Sequence, residues 1–128
     1  MQKIFTFLLI LAITGCTTWN GLLGNGEVVF DKPRIHLFLY NDYKSDPDKY
    51  INTLRSAGYD VILRNGDLPK NEATSFIIHS PGLNPSHFSE IENIVEILKS
   101  IGVKKLNQYE YQLGKHSYTH QNVGIYLL

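Results

Sequence analysis

The sequence predicts a mixed α/β (α+β) fold of two layers, helices against a sheet, in the order β-α-β-β-α-β with an extra C-terminal strand. Three observations predict it. Short apolar runs of strand character alternate along the chain with stretches of helical period. Both helical stretches open on the same device, Asp46-Pro47 and Asn84-Pro85, and both close on a glycine, Gly58 and Gly102. The length of 128 residues, 43% of them hydrophobic and 19% charged, suits one compact core and argues against a two-domain enzyme.

The first element, Ile35 to Tyr40, is a strand in which Leu37 and Leu39 alternate with His36, Phe38 and Tyr40. Asp46 then offers a carboxylate to orphan backbone N–H groups and Pro47 fits the first helical position. Tyr50, Ile51, Leu54 and Ala57 form the apolar stripe of that helix, and Gly58 supplies its left-handed stop. The second strand, Tyr59 to Arg64, is built on Val61-Ile62-Leu63 and ended by Asn65-Gly66 and Pro69. A third, Thr74 to His79, stops at Pro81-Gly82. The second helix buries Phe88, Ile91, Val95 and Leu98 with Ile94 or Ile101. Lys104 to Leu113 is the fourth strand, with Tyr109, Tyr111 and Leu113 alternating against Gln108, Glu110 and Gln112. After the polar loop Gly114 to Asn122, Val123 to Leu128 is the last.

The helix ends echo one another, Leu54-Arg55-Ser56-Ala57-Gly58 and Leu98-Lys99-Ser100-Ile101-Gly102, an echo that identical capping needs alone can produce. Two split strand-helix-strand units sharing a largely antiparallel sheet make a ferredoxin-like sandwich with both helices on one face. A small three-layer sheet with a helix on each side is the alternative.

Twelve Lys plus Arg against twelve Asp plus Glu leave no bulk field to draw the chain to nucleic acid or anionic lipid. A single cysteine, Cys16, excludes an internal disulfide and every multi-cysteine metal site. Its position explains it. Met1-Gln2-Lys3 is a short positive start, and Ile4 to Ile13 is an apolar run broken only by Thr6, too short for the roughly 20 residues a spanning helix needs. The run ends in Ile13-Thr14-Gly15-Cys16, which resembles the lipobox of bacterial lipoproteins. That resemblance implies diacylglycerol on the Cys16 sulfur, cleavage before it and acylation of the new amino terminus. Small residues at 14 and 15 suit a backbone that a peptidase and an acyl donor must approach. At about 0.8 kcal/mol per buried methylene, two or three chains make a lasting anchor. Thr17, where an Asp would hold a lipoprotein at the inner membrane, implies the outer membrane of a Gram-negative cell, facing the periplasm. The organisation is then 1–15 signal peptide, 16–33 lipidated cysteine and flexible tether, and 34–128 one α/β domain. Gly21, Gly24, Asn25 and Gly26 loosen the tether, Trp19, Leu22 and Leu23 offer contacts to the headgroup layer, and Val28-Val29-Phe30 offers a short extra edge strand.

The order of signals in the last part of the chain resembles the LytR C-terminal-type domain of envelope proteins. The matching elements are Leu37-Phe38-Leu39-Tyr40-Asn41, then Ala57-Gly58-Tyr59-Asp60-Val61, then the Thr-led strand Thr74 to His79. Asp42-Tyr43 stand where that family usually places a glycine after the asparagine. The resemblance implies an envelope accessory or binding module and brings no catalytic residues with it.

Five histidines invite acid–base or metal chemistry. His116 and His120 have one-face helical spacing but sit in a loop, where exposed imidazoles at a hairpin tip are the simpler reading. Around His79 and His87, a triad can be drawn with Ser80, Ser86 or Ser89 and Glu90, without a nucleophile elbow to support it. Asn41, Asp42, Asp46 and Asp48 lack the glycine and glutamate of a calcium loop and suit helix capping instead. No glycine-rich phosphate or dinucleotide fingerprint is present. The tyrosines are more informative. If the first and fourth strands are neighbours, Tyr40, Tyr43, Tyr109, Tyr111 and Tyr126 share the sheet face away from the helices and suit a protein or glycan surface, with core capping as the bland alternative.

The expectation is a lipid-anchored, non-catalytic module at the outer membrane. It needs no cofactor or metal, binds no nucleic acid, and holds an envelope protein or peptidoglycan. The alternatives are a small hydrolase or metal-binding protein using His79, His87, His116 or His120, and a structural subunit of a secretion or conjugation complex that pairs through the edge Val123 to Leu128.

Overall fold

The computed structural model describes residues 31–110 and 120–128. The signal region, Cys16, Trp19, Val28 to Phe30, Tyr111 and His116 lie outside them. The elements are β1 (Arg34–Leu39), α1 (Pro47–Ser56), β2 (Val61–Arg64), β3 (Phe76–His79), α2 (Phe88–Ser100), β4 (Asn107–Glu110) and β5 (Asn122–Leu127). The architecture is therefore a mixed α/β two-layer sandwich in the expected order, consistent with a ferredoxin-like arrangement. Its sheet order is β2-β1-β5-β3-β4. Each strand-helix-strand unit keeps its two strands side by side, β1 parallel to β2 and β3 parallel to β4. β5 joins them, parallel to β1 and antiparallel to β3, so the sheet is mixed rather than largely antiparallel.

The two helix ends are built alike. Gly58 takes φ +90°, its N–H donates to Arg55 O and that of Tyr59 to Leu54 O; Gly102 takes φ +104°, with Gly102 N–H on Lys99 O and Val103 N–H on Leu98 O. These are Schellman caps, each closed by buried side chains on both sides of the turn, Tyr59 with Leu54 and Val103 with Leu98. The sequence echo thus has a local cause. It also shortens β2, because the backbone of Tyr59 is committed to the α1 cap and pairing begins only at Val61 opposite Ile35. β4 is shortened at its start by register: Asn107 is opposite Phe76, the first residue of β3, so residues 104–106 precede the paired stretch among the described residues.

Ile51 and Leu54 of α1, and Ile91, Ile94 and Leu98 of α2, pack with Ile35, Leu37, Ile77, Val123 and Ile125 into one core under the helices. Both helices lie on the same sheet face. Phe88, expected in that core, is 44% exposed because a 3-10 turn over Pro85–His87 sets the helix start and turns the fully buried His87 inward instead. Asp46 Oδ1 accepts from Lys49 N–H at 3.3 Å, so the first helix cap is as expected.

Candidate functional site

The sheet face away from the helices carries a second, aromatic core. Phe38, Tyr126 and Phe76 are in register across β1, β5 and β3. Their rings stack, Phe38 on Tyr126 at 4.3 Å and 4°, Tyr126 on Phe76 at 4.5 Å and 10°. Tyr109 of β4 extends the row, tilted 52° at 5.4 Å from Phe76. The connection from β2 to β3 must pass β1 and β5, and it crosses beside this row. Tyr40 Oη donates to Asp67 O at 3.0 Å and Tyr109 Oη to Glu72 Oε2 at 3.3 Å. Gly66 is a close approach: a Cβ there would stand 3.3 Å from Phe38 Cε1.

The tyrosines read as one surface are therefore dispersed. Tyr40 and Tyr126 are each 6% exposed and belong to the aromatic core. Tyr43 packs edge-on against Tyr50 at 5.4 Å on the helix side, and Tyr109 is 36% exposed on the outer strand. The supposed adjacency of the first and fourth strands fails because β5 stands next to β1 and β4 lies beyond β3. For the same reason Val123 to Leu128 is no edge; among the described residues the outer strands are β2 and β4. The signal for Phe76 as core was the unbroken apolar run Phe76-Ile77-Ile78, the mark of a strand covered on both faces.

The groups that suggested a triad have other work. Glu90 Oε2 accepts from Tyr59 Oη at 2.5 Å and lies 3.9 Å from Lys32 Nζ. Burial, first, and then the bond to Glu90 hold the Tyr59 phenol well above its ordinary range. Lys32 Nζ donates to Ala57 O at 2.7 Å and sits 4.6 Å over the Tyr59 ring, so the last part of the stretch read as tether is already pinned to the folded body. Ser86 Oγ donates to Asn84 Oδ1 at 2.9 Å and Ser80 Oγ accepts from Gly82 N–H at 3.1 Å, both turn bonds. His79 is edge-on to Phe88 at 5.4 Å, and His120 lends its carbonyl to Asn84 N–H at 2.9 Å. Among the described residues no group of three or more metal-ligating side chains converges, and none of the helices is long and apolar enough to cross a membrane. A cleft of about 310 Å³ lies between Asp31, Lys32, Arg34, Gly58 and Asp60. Within it Arg34 Nε is 2.6 Å from Asp60 Oδ2.

One polar cluster was not foreseen. Arg64 Nε donates to His36 Nδ1 at 3.0 Å, and His36 Nε2 is 3.1 Å from Asn122 Oδ1, linking β2, β1 and β5. A guanidinium only donates, so Nδ1 accepts and the ring proton is on Nε2, facing the Asn122 oxygen. Burial, then the neighbouring Arg64 and Arg34, hold the His36 pKa below its ordinary value against the opposite pull of Asn122 and Asp60. The unfolded chain consequently takes up a proton more readily than the folded one. This contribution to stability is intact above about pH 6.5 and is lost as pH falls through the lower folded pKa. We expect urea midpoints of the full chain to fall between pH 7.5 and 5.5 by more than in His36→Gln; equal falls in both would refute the assignment.

Compared with protein-family models, with curated proteins and with solved structures, the chain matches none.

Proposed function

We propose that this protein is a lipid-anchored, non-catalytic module of the bacterial envelope that holds a protein or cell-wall partner beside the outer membrane. The observation that carries the reading is Ile13-Thr14-Gly15-Cys16 at the end of a short apolar run that opens on Lys3. The pinning of Lys32 to Ala57 and Glu90 supports it, since a tether that leads into a fixed point transmits its anchor to the whole body. The engagement of Glu90, Ser80 and Ser86 in structural bonds supports a binding role over a hydrolytic one. The likeness of the strand and helix order to the LytR C-terminal-type domain favours the same class. Tyr109, with Asn107 Nδ2 donating to its hydroxyl at 3.2 Å, is the described part of the proposed contact surface; Tyr111 belongs to the same proposal.

The test is chemical. Full-length protein expressed in a Gram-negative cell is expected to carry a thioether-linked diacylglycerol on Cys16 by mass spectrometry and to sediment with outer membranes. Cys16→Ser should abolish the lipid and release the chain from the membrane fraction, and Thr17→Asp should move it to the inner membrane. An unmodified thiol on a chain with its leader intact would overturn the proposal.

A further inference from the structure

Arg64 is an exposed guanidinium that the fold orients without neutralising. It ends β2 on the sheet face away from the helices, directly across from Phe38 of β1. Its Nε donates to His36 Nδ1 at 3.0 Å, and His36 is steadied in turn by Asn122 at 3.1 Å, so the acceptor that fixes Arg64 is an uncharged imidazole. No carboxylate among the described residues stands at ion-pair distance from it. Arg34, two residues before His36 on the same face, is treated differently, since Asp60 answers its charge at 2.6 Å. In this corner of the sheet Arg34 and Asp60 cancel, the imidazole is neutral, and the charge of Arg64 stands uncovered. Both guanidiniums press on the one imidazole and lower its proton affinity, which places two like charges close together on one face. An anion bound there relieves that repulsion.

From this arrangement we infer that Arg64 is a receptor for a carboxylate of a partner molecule, gripped end-on by its two terminal nitrogens, with His36 as the positioning residue. Nε is committed to His36, and Arg64 makes no further bond among the described residues, so Nη1 and Nη2 remain as a planar fork of two parallel N–H groups. Such a fork matches the two oxygens of one carboxylate. One negative charge balances the one uncovered positive charge; a phosphate group brings further oxygens, and as a monoester further charge, that a single fork does not serve. The surface beside the fork is apolar. Ile62, two residues back on the same face, and Phe38 opposite are both half-buried, so the carboxylate recognised is one carried next to an apolar side chain, as at the end of a peptide. Histidine is the support that this task requires: a carboxylate at position 36 would hold Arg64 equally well but cancel the charge the ligand needs. The site is separate from Tyr109 and stands whether or not Cys16 is acylated.

The probe is N-acetyl-leucine, a carboxylate beside one apolar side chain, with N-acetyl-leucinamide as the control that keeps the shape without the charge. In proton–nitrogen correlation spectra of the full-length chain in detergent micelles, the Arg64 Nε–H signal, identified by its absence from Arg64→Gln, is expected to shift saturably with the acid and not with the amide. Affinities read from the backbone amides of β1 and β2 should fall about tenfold in Arg64→Gln, the loss of a charge-assisted pair. Arg64→Lys, which keeps the charge but not the fork, should lose about fivefold. His36→Ala should weaken binding about threefold, and His36→Gln, whose amide oxygen accepts from Nε, should restore it. A merely structural histidine would not produce that split between two variants that both lack the imidazole. Equal shifts with the amide, tighter binding of inorganic phosphate than of the acid, Arg64→Gln binding as well as the unsubstituted chain, or His36→Gln as weak as His36→Ala would each overturn the assignment.

Discussion

Tyr126→Ala is expected to cost about 3–5 kcal/mol of folding stability, the range of deleting a buried aromatic ring. The ring is the middle member of the stack, 4.3 Å from Phe38 and 4.5 Å from Phe76, so its loss removes two aromatic pairs together with its own burial. Each such pair contributes about 0.5–1.5 kcal/mol beyond area. The strap from β2 to β3 cannot collapse into the gap, because Gly66 already lies against Phe38 and Tyr40 Oη is bonded to Asp67 O. Tyr126→Phe keeps the stack and should retain most of the stability. Urea unfolding of the full chain checks both. A loss of under about 1 kcal/mol in the alanine variant would mean that the aromatic row is surface decoration and not a core.

What could be read in advance follows the range of the interactions. Capping is local, and Asp46-Pro47, Gly58, Asn84-Pro85 and Gly102 announced both helices to within a few residues. Layering was legible too, since the stripes Tyr50-Ile51-Leu54 and Ile91-Val95-Leu98 require an apolar partner. Strand neighbours were not legible. Nothing in the residues 122–127 states whether they close the sheet at its edge or fill its middle; burial of five successive residues from Val123 to Leu127 is a consequence of the central place. That one unread fact moved Tyr126 from a contact surface into a core and separated Tyr40 from Tyr109. The His36–Arg64–Asn122 cluster was hidden for the same reason, its members being far apart in sequence and adjacent only through β1–β2 and β1–β5 pairing.

The central place of β5 sets the second large effect. Among the described residues the two strand-helix-strand units are joined in the sheet through β5, so its helix-side residues hold the halves together. Ile125 is opposite Leu37 on one side and Ile77 on the other, and all three are fully buried beneath the helices. Ile125→Ala leaves a cavity that neither neighbour can fill, because both are fixed in ladders on rigid strands; a loss of about 2–5 kcal/mol is expected, against about 0.5–1.5 kcal/mol for Ile125→Val. For a domain whose total stability is about 5–15 kcal/mol, the alanine variant removes a large share of it. The core beneath α1 and α2 is nonetheless continuous across both units, running from Ile51 and Leu54 to Ile94 and Leu98, so unfolding should remain one cooperative transition at the lower midpoint. Two separated transitions by fluorescence and circular dichroism would show instead that the units are stable apart, and that β5 joins two bodies where one core has been argued.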